Sequence, residues 1–409
     1  MPDGADRHGE SAQIPQKIEI HILGSIHDAP AREWDACAGI DGMKGNPFLS
    51  HAFLSALEDS GSAAGDTGWL PQHLAIRGDD GGLLACAPCY LKSHSFGEYV
   101  FDWGWADAWE RAGGQYYPKL QSSVPFTPVT GPRLLVREGL EAKLQDQLRR
   151  ALAAGMQSLA KRHRVSSLHV TFPTHPEWDL LGDIGLLQRR GVQYHWHNDG
   201  YADFDAFLAA LASRKRKQIR KERREVEASG IALTAIHGQE LGRRHWDAFY
   251  RFYRNTTDKR WGQAYLTREF FDLLGQRLGD RVVLVLAEED GLPVAGALNL
   301  RDDEALYGRN WGCLSLSGKR DYRFLHFEAC YYQAIDYAIA HGLRRVEAGA
   351  QGEHKIQRGY LPVETFSAHW IADPRFEAAV ADFLRRENQA VDMEIAELTA
   401  LSPYRKGGG

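Results

Sequence analysis

Apolar residues recur along this chain with two periods. A period of about 3.6 marks amphipathic helices, and a period of 2 marks half-buried strands. Alternation over Lys17–Leu23 predicts a first strand. Short helices are predicted over Ala31–Cys37 and Ser50–Ser60. Gln72–Arg77 and Leu83–Ser93 predict a hairpin around the turn Asp79-Asp80-Gly81-Gly82. Leu140, Leu144, Leu148, Leu152, Met156 and Leu159 predict a helix over Leu140–Arg162. Ser167–Phe172 follows as a strand.

A domain boundary is expected near Gly182–Gly200. Beyond it, an apolar stripe of Phe204, Phe207, Leu208, Leu211, Ile219 and Val226 predicts one helix over 203–229, capped by Asp203 or Asp205. Helices over Arg243–Thr256 and Arg268–Gly279 come next. A second hairpin, Arg281–Glu288 with Pro293–Leu300, turns at Glu289-Asp290-Gly291-Leu292. The strand Ala305–Trp311, the helix Phe324–Gly342, the strands Arg345–Ala348 and Ser367–Ile371 and the helix Pro374–Asn388 complete the pattern.

The two halves therefore rhyme: helix, hairpin with an acidic-Gly turn, strand, loop, long helix, strand. The expected class is α/β (α+β) with mixed sheets. The expected organisation is a disordered 1–16, a first domain over 17–190, a second over 191–404, and a tail over 405–409.

Composition narrows the function. A length of 409 residues suits two to three cores. The net charge of −5 argues against a whole-chain nucleic-acid binder but leaves local patches open. Five cysteines and no secretory pattern at the start fit a reducing, cytoplasmic compartment. Cys86 and Cys89 lie in an apolar run that reads as strand, away from any helix N-terminus that would activate a thiol. No run approaches the ~18 apolar residues that span a membrane, which leaves peripheral contact as the membrane option.

Candidate chemistry concentrates late in the chain. Glu347–Tyr360 joins a strand end to three glycines and the polar heads Gln351, Glu353, His354, Lys355, Gln357, Arg358 and Tyr360. Loops beyond strand C-termini are where open α/β sheets bind ligands. Glu347, Glu328, His326 and His354 are the candidate bases or amine-orienting groups. Arg309, Asn310 and Trp311 end a central strand, and Arg309 suits a carboxylate or phosphate. Asp102, Trp103, Trp105 and Tyr117 belong to an aromatic–acid stretch, Tyr99–Tyr117, and Lys119 follows just after it. Its alternation reads as strand core or as a groove for a sugar, base or acyl group. Arg214–Arg224 packs eight cations into eleven residues. Arg214, Lys217, Arg220 and Lys221, with Lys259 and Arg260, are phosphate-binding candidates. Their partner would be tRNA, a nucleotide-linked precursor or an anionic membrane. His195 and His197 share a strand face without further ligands, so no metal is expected.

This order of elements resembles a GNAT acyltransferase core, and the tandem resembles the Fem-type peptidoglycan aminoacyltransferases. The stretches that carry the resemblance are Ser213–Lys221, Leu284–Leu298, Tyr99–Asp107, Pro125–Arg133, Tyr307–Gly312 and Glu347–Tyr360. They are similar to the bacterial branch described as peptidoglycan biosynthesis/recognition proteins. The resemblance implies an N-acyltransferase that moves an acyl or aminoacyl group onto an amine of a peptidoglycan precursor or small metabolite. The donor would be aminoacyl-tRNA, acyl-CoA or acyl carrier protein. Neither Ser315–Phe324 nor Thr127–Arg133 has the glycine pattern of a CoA pyrophosphate loop, which weighs against a CoA-dependent N-acetyltransferase. A non-catalytic tandem binding module for cell-wall fragments or a protein is the other alternative.

Overall fold

A computed structural model describes residues 18–260, 264–314, 322–349 and 352–405. The side chains of Gln239, Asp258, Lys259, Arg260 and Glu353 are outside that description, as are Gln351, residues 315–321, and the expected disordered start and most of the expected tail.

The first half contains β1 (Ile20–Leu23), α1 (Ala31–Ala38), α2 (His51–Asp59), β2 (Trp69–Pro71), β3 (His73–Arg77), β4 (Leu83–Ala87), β5 (Tyr90–Lys92) and α3 (Trp103–Arg111). It continues through β6 (Lys119–Ser122), β7 (Leu135–Val136), α4 (Ala142–His163), β8 (Ser167–Thr171), α5 (His175–Asp183) and β9 (Leu187–His197). The second half begins with α6 (Phe204–Ala210), α7 (Ser213–Glu227), β10 (Ile231–His237), α8 (Arg243–Arg260) and α9 (Arg268–Leu278). The strands β11 (Val282–Glu289), β12 (Leu292–Arg301) and β13 (Ala305–Cys313) follow. Then come α10 (Leu325–Phe327), a π-helical turn (Glu328–Tyr332), α11 (Gln333–Ala340), β14 (Arg345–Glu347), β15 (Leu361–Ile371) and α12 (Pro374–Ala400).

A small sheet has the order β1-β3-β4-β7, and a long mixed sheet runs β10-β11-β12-β13-β14-β9-β15-β8-β6-β5-β2. Strands β9 and β15 join the two halves. β15 pairs with β9 through Leu361–His369 and with β8 through Ser367–Ile371. One apolar cluster joins Phe48, Phe53 and Phe126 of the first half to Phe249, Phe270 and Tyr307 of the second. A separate core buries the stripe of α4 against Leu74, Leu84, Leu168 and Val170. Each such leucine contributes roughly 1.5–3 kcal/mol. Among the described residues no helix is long and apolar enough to cross a membrane.

Several expectations need correction. Leu83–Ser93 is not one strand: β4 and β5 lie in different sheets. Pro88, which has no N–H for a ladder, stands where the chain changes sheet. Tyr99–Tyr117 is not strand core. Trp105 and Trp109 are spaced for a helix, and α3 turns them inward; Trp109 stacks on Phe376 with ring centroids 4.7 Å apart. The chain over 203–229 forms two helices, parted where Leu211 bridges to Tyr404. The helix expected over Phe324–Gly342 contains a π-turn at Glu328–Tyr332. The final strand begins at Leu361, earlier than expected.

Candidate active site

Strands β13 and β14 run parallel only where Ala305–Tyr307 faces Arg345–Glu347. β13 then continues to Cys313 against β12 alone. β14 stops at Glu347, and the chain turns away through Gly349 at φ 77°. The approach is tight: a Cβ on Gly308 would sit 3.3 Å from the Glu347 carbonyl. The strands part just beyond this point, and Glu347, Arg309, Asn310 and Trp311 stand around the opening.

One side of the opening faces the first half. Glu347 is buried. Its Oε1 accepts from Arg345 Nε at 2.9 Å. Its Oε2 has no hydrogen-bond partner among the described residues and lies 3.8 Å from His195 Nε2. Register explains the meeting, since Glu347 is the antiparallel neighbour of His195. Gln193, two residues back on the same face, holds Oε1 3.4 Å from His195 Nε2 and donates to the Pro128 carbonyl at 2.6 Å. Burial lowers the His195 pKa against the pull of Glu347, so the imidazole favours its neutral form. Arg309 reaches across to the Phe126 carbonyl. Burial lowers its pKa, and Tyr99 opposes that shift.

The opposite side faces α10, α11 and the turn between them. Tyr194 packs there, because it alternates with His195 along β9. Lys355 lies over the Tyr194 ring at 5.6 Å. It is buried and donates to the carbonyls of Ala348 at 2.6 Å and Gly349 at 3.0 Å. No described carboxylate pairs with it, and burial pushes its pKa down to about 8. His354 Nε2 meets Tyr331 Oη at 3.0 Å. The His326 ring meets Trp311 edge-on, with centroids 5.3 Å apart.

The loop Glu347–Tyr360 is therefore a packed wall. Glu353–Arg358 forms a short 3-10 helix. Arg358 is buried in an ion pair with Glu222 of α7 at 2.9 Å, and Tyr360 is fully buried. Glu328 accepts from Arg223 at 3.0 Å and from Gln333 at 2.9 Å. The structure thus brings Glu347, Arg309, Asn310, Trp311, His326, His354 and Lys355 around one opening. Glu328 and Arg358 stand behind it in ion pairs with Arg223 and Glu222, although Glu328 Oε2, like Glu347 Oε2, has no hydrogen-bond partner among the described residues.

Other candidates sit elsewhere. Asp102 and Lys119 are buried together in the first half. Trp105 is buried over His369, Trp103 is exposed, and Tyr117 is half-buried. On α7, Arg214, Lys217, Arg220, Lys221 and Arg224 are exposed, while Ile219, Glu222 and Val226 face inward. Arg220 pairs with Asp205 at 2.8 Å and Lys221 with Glu225 at 3.6 Å. The geometry adds Gln193 and Glu222, which the sequence pattern did not mark, and gives His195, weighed there only as a metal ligand, a carboxylate neighbour. The alternation of His195 with Trp196 was visible; the strand that comes to lie beside it was not.

The first half has a counterpart opening. β6 and β8 run parallel with Leu120–Ser122 facing Leu168–Val170. The following loop folds Arg133 into the gap. Its fully buried guanidinium donates to the carbonyls of Val129 at 2.8 Å, Gly131 at 2.9 Å, Thr171 at 3.0 Å and Pro132 at 3.1 Å. The backbone N–H groups of Arg133 and Leu134 donate to Glu177.

The family model FemAB-like, described as peptidoglycan biosynthesis/recognition, matches residues 25–406. No curated protein sequence gives a match. The crystal structure of FemX aligns with 89% of this chain and 100% of its own, at 13% identity and a TM-score of 0.54. A tandem GNAT protein from the clavulanic acid biosynthesis pathway aligns with 88% of this chain and 99% of its own, at 13% identity and a TM-score of 0.47. L-PGS from Bacillus licheniformis aligns with 88% of this chain and 98% of its own, at 10% identity and a TM-score of 0.47. At this identity the likeness to FemX describes a shared fold.

Proposed function

From the premise that this chain belongs to the FemAB-like family, we propose that it is an N-acyltransferase with one reaction centre, where β13 and β14 part. The observation that carries the reading is the buried, unpartnered Oε2 of Glu347 at the mouth of that opening, beside the lowered-pKa imidazole of His195. Amine acylation needs a neutral amine, a donor ester or thioester held close, and hydrogen-bond donors for the oxyanion. Glu347, oriented by Arg345, takes the proton from the attacking amine. His195 is the second candidate for that proton. Peptide N–H groups of β13 beyond Tyr307 supply donors for the oxyanion, and the leaving oxygen or sulfur departs with the donor.

The two sides of the opening suggest two substrates. The acceptor amine approaches from the first half, past Arg309. The donor lies along Trp311, His326, His354 and Lys355. The exposed cations of α7 favour a polyanionic donor, hence aminoacyl-tRNA over acyl-CoA or acyl carrier protein. The family description supports a peptidoglycan precursor as acceptor. The test offers purified full-length protein charged tRNA, acyl-CoA and acyl carrier protein in turn, each with peptidoglycan precursors and simple amines, and follows products by mass spectrometry. We expect transfer from charged tRNA, and a loss of about 10²–10⁴-fold in Glu347→Gln with an unchanged melting curve. Binding of precursor with no turnover from any donor would instead identify a recognition module. Turnover with acyl-CoA alone would identify a CoA-dependent enzyme.

A further inference from the structure

The helix α3 contributes nothing to the opening at Glu347, and its outward side is apolar where a solvated helix face is normally polar. Gly104 and Ala108 of α3, and Ala112 just past its end, recur at every fourth residue and are all exposed. α12 lies alongside. Trp109 stacks on Phe376 with centroids 4.7 Å apart, and Trp105 meets Phe383 edge-on at 6.3 Å, so the two helices run antiparallel. On its side α12 adds the exposed Ala379 and Phe383. Between the helices runs a groove of about 500 Å³. Phe101, 48% exposed, and Phe383, 41% exposed, form its rim, and the small side chains leave the space between them. A contiguous exposed apolar surface of this kind marks a binding site.

The polar groups at the groove say what it rejects. Arg189 gives Nε and Nη2 to Glu387 at 2.7 Å each, and Nη1 to the Phe101 carbonyl at 2.9 Å. Arg375 gives Nε and Nη2 to Asp373 at 3.3 and 3.1 Å. Each cation already has its carboxylate. Among the described residues that line the groove, no buried side-chain polar atom lacks a partner. The complement of this surface is therefore uncharged and makes no hydrogen bonds.

Size narrows the occupant further. From Gly104 to Ala112 the trough runs about 12 Å along the helix axis. A partner helix of that length and about 10 Å width fills roughly 900 Å³, far more than the groove holds. A bilayer takes up an apolar face that protrudes and sinks ~5–10 Å deep, whereas this surface is recessed between aromatic rims. Its volume falls in the range of about 300–1,000 Å³ that suits one small ligand. We propose that the α3–α12 groove binds a single hydrocarbon chain of a monomeric amphiphile, whose polar head stays in water. The chain lies on Gly104, Ala108, Ala112 and Ala379, between the rings of Phe101 and Phe383. The site is independent of the transfer reaction at Glu347.

The test titrates full-length protein with hexyl, octyl and decyl maltoside, each below its critical micelle concentration. Tryptophan fluorescence reports through Trp105 and Trp109, and calorimetry gives the Kd. The expected result is saturable binding that tightens about 2–4-fold with each added methylene. Ala108→Phe fills the middle of the trough from an exposed position. It should weaken decyl maltoside binding about tenfold or more while the melting temperature stays unchanged. Ala379→Phe repeats the test from α12 and decides the matter should Ala108→Phe unfold the protein. Phosphatidylcholine vesicles should not carry the protein down on sedimentation. No saturable binding below the micelle concentration, an affinity indifferent to chain length, or binding that survives both variants would overturn the proposal. Binding to vesicles alone would assign the surface to a bilayer instead, and a dimer dissociated by Ala108→Phe would assign it to a second copy of this chain.

Discussion

Among the described residues parallel strands part at two places, β6 from β8 and β13 from β14, with different outcomes. In the first half the gap is closed by the protein's own Arg133, whose guanidinium spends four of its five N–H groups on carbonyls. In the second half the gap is walled by cations with donors to spare. Lys355 commits two N–H groups to carbonyls, and Arg309 stands at the other side. Parting strands expose peptide groups in both halves, but among the described residues no side chain fills the second gap as Arg133 fills the first. On the proposed function, two similar strand partings yield one reaction centre, because one arginine from a neighbouring loop closes the other gap.

The comparison can be broken most forcefully at the filled gap. Arg133→Ala should cost about 3–5 kcal/mol in urea unfolding, since it orphans several buried carbonyls at once. A loss under about 1 kcal/mol would mean that Arg133 is not the plug. Next is the wall behind the open gap. Arg358→Met should cost about 3 kcal/mol by stranding the Glu222 carboxylate. The double change with Glu222→Leu should recover much of that cost, a coupling read by a double-mutant cycle.

Lys355 sharpens the contrast through pH. Burial holds its folded-state pKa at about 8, below the ordinary 10.5. Between those values the unfolded chain binds more protons, so the folded state gains stability as pH rises through that window. Lys355→Met should therefore be more stable than wild type below about pH 8, with the advantage shrinking toward about pH 10. An advantage independent of pH would show that the ammonium is not the cause. The smallest effect belongs to the outer face of α7. Arg214→Ala with Lys217→Ala should leave stability within about 0.5 kcal/mol. It should weaken tRNA binding and reduce the salt slope by about one unit per cation removed.

Much of this arrangement is written in short stretches of sequence. The hairpin of β11 and β12 was readable because Asp290 and Gly291 take the positive φ values, 51° and 74°, that its tight turn needs. The stripe of α4 and the cations of α7 were readable for the same local reason. Glu347 was readable as a strand end before a glycine-rich segment. What escaped depended on distant partners. Trp103 and Trp105 alternate like a strand, yet α12, more than 250 residues away, supplies Phe376 against which α3 packs. His195 gains its meaning from β14, and Glu222 from Arg358, which is 136 residues distant. Arg133 lies in a proline-rich loop whose path is set by Glu177 and Thr171. No local period encodes that path.

The sharing of β15 has a consequence for how the chain is made. His169 on β8 and His369 on β15 touch across 200 residues of sequence. At about 5–20 residues per second, a ribosome needs roughly 10–40 s to synthesise that interval. Until then β8 offers an unpaired edge, the kind of surface that recruits foreign strands. The nascent first half thus has a prolonged interval of vulnerability that ends only when nearly the whole polypeptide has emerged.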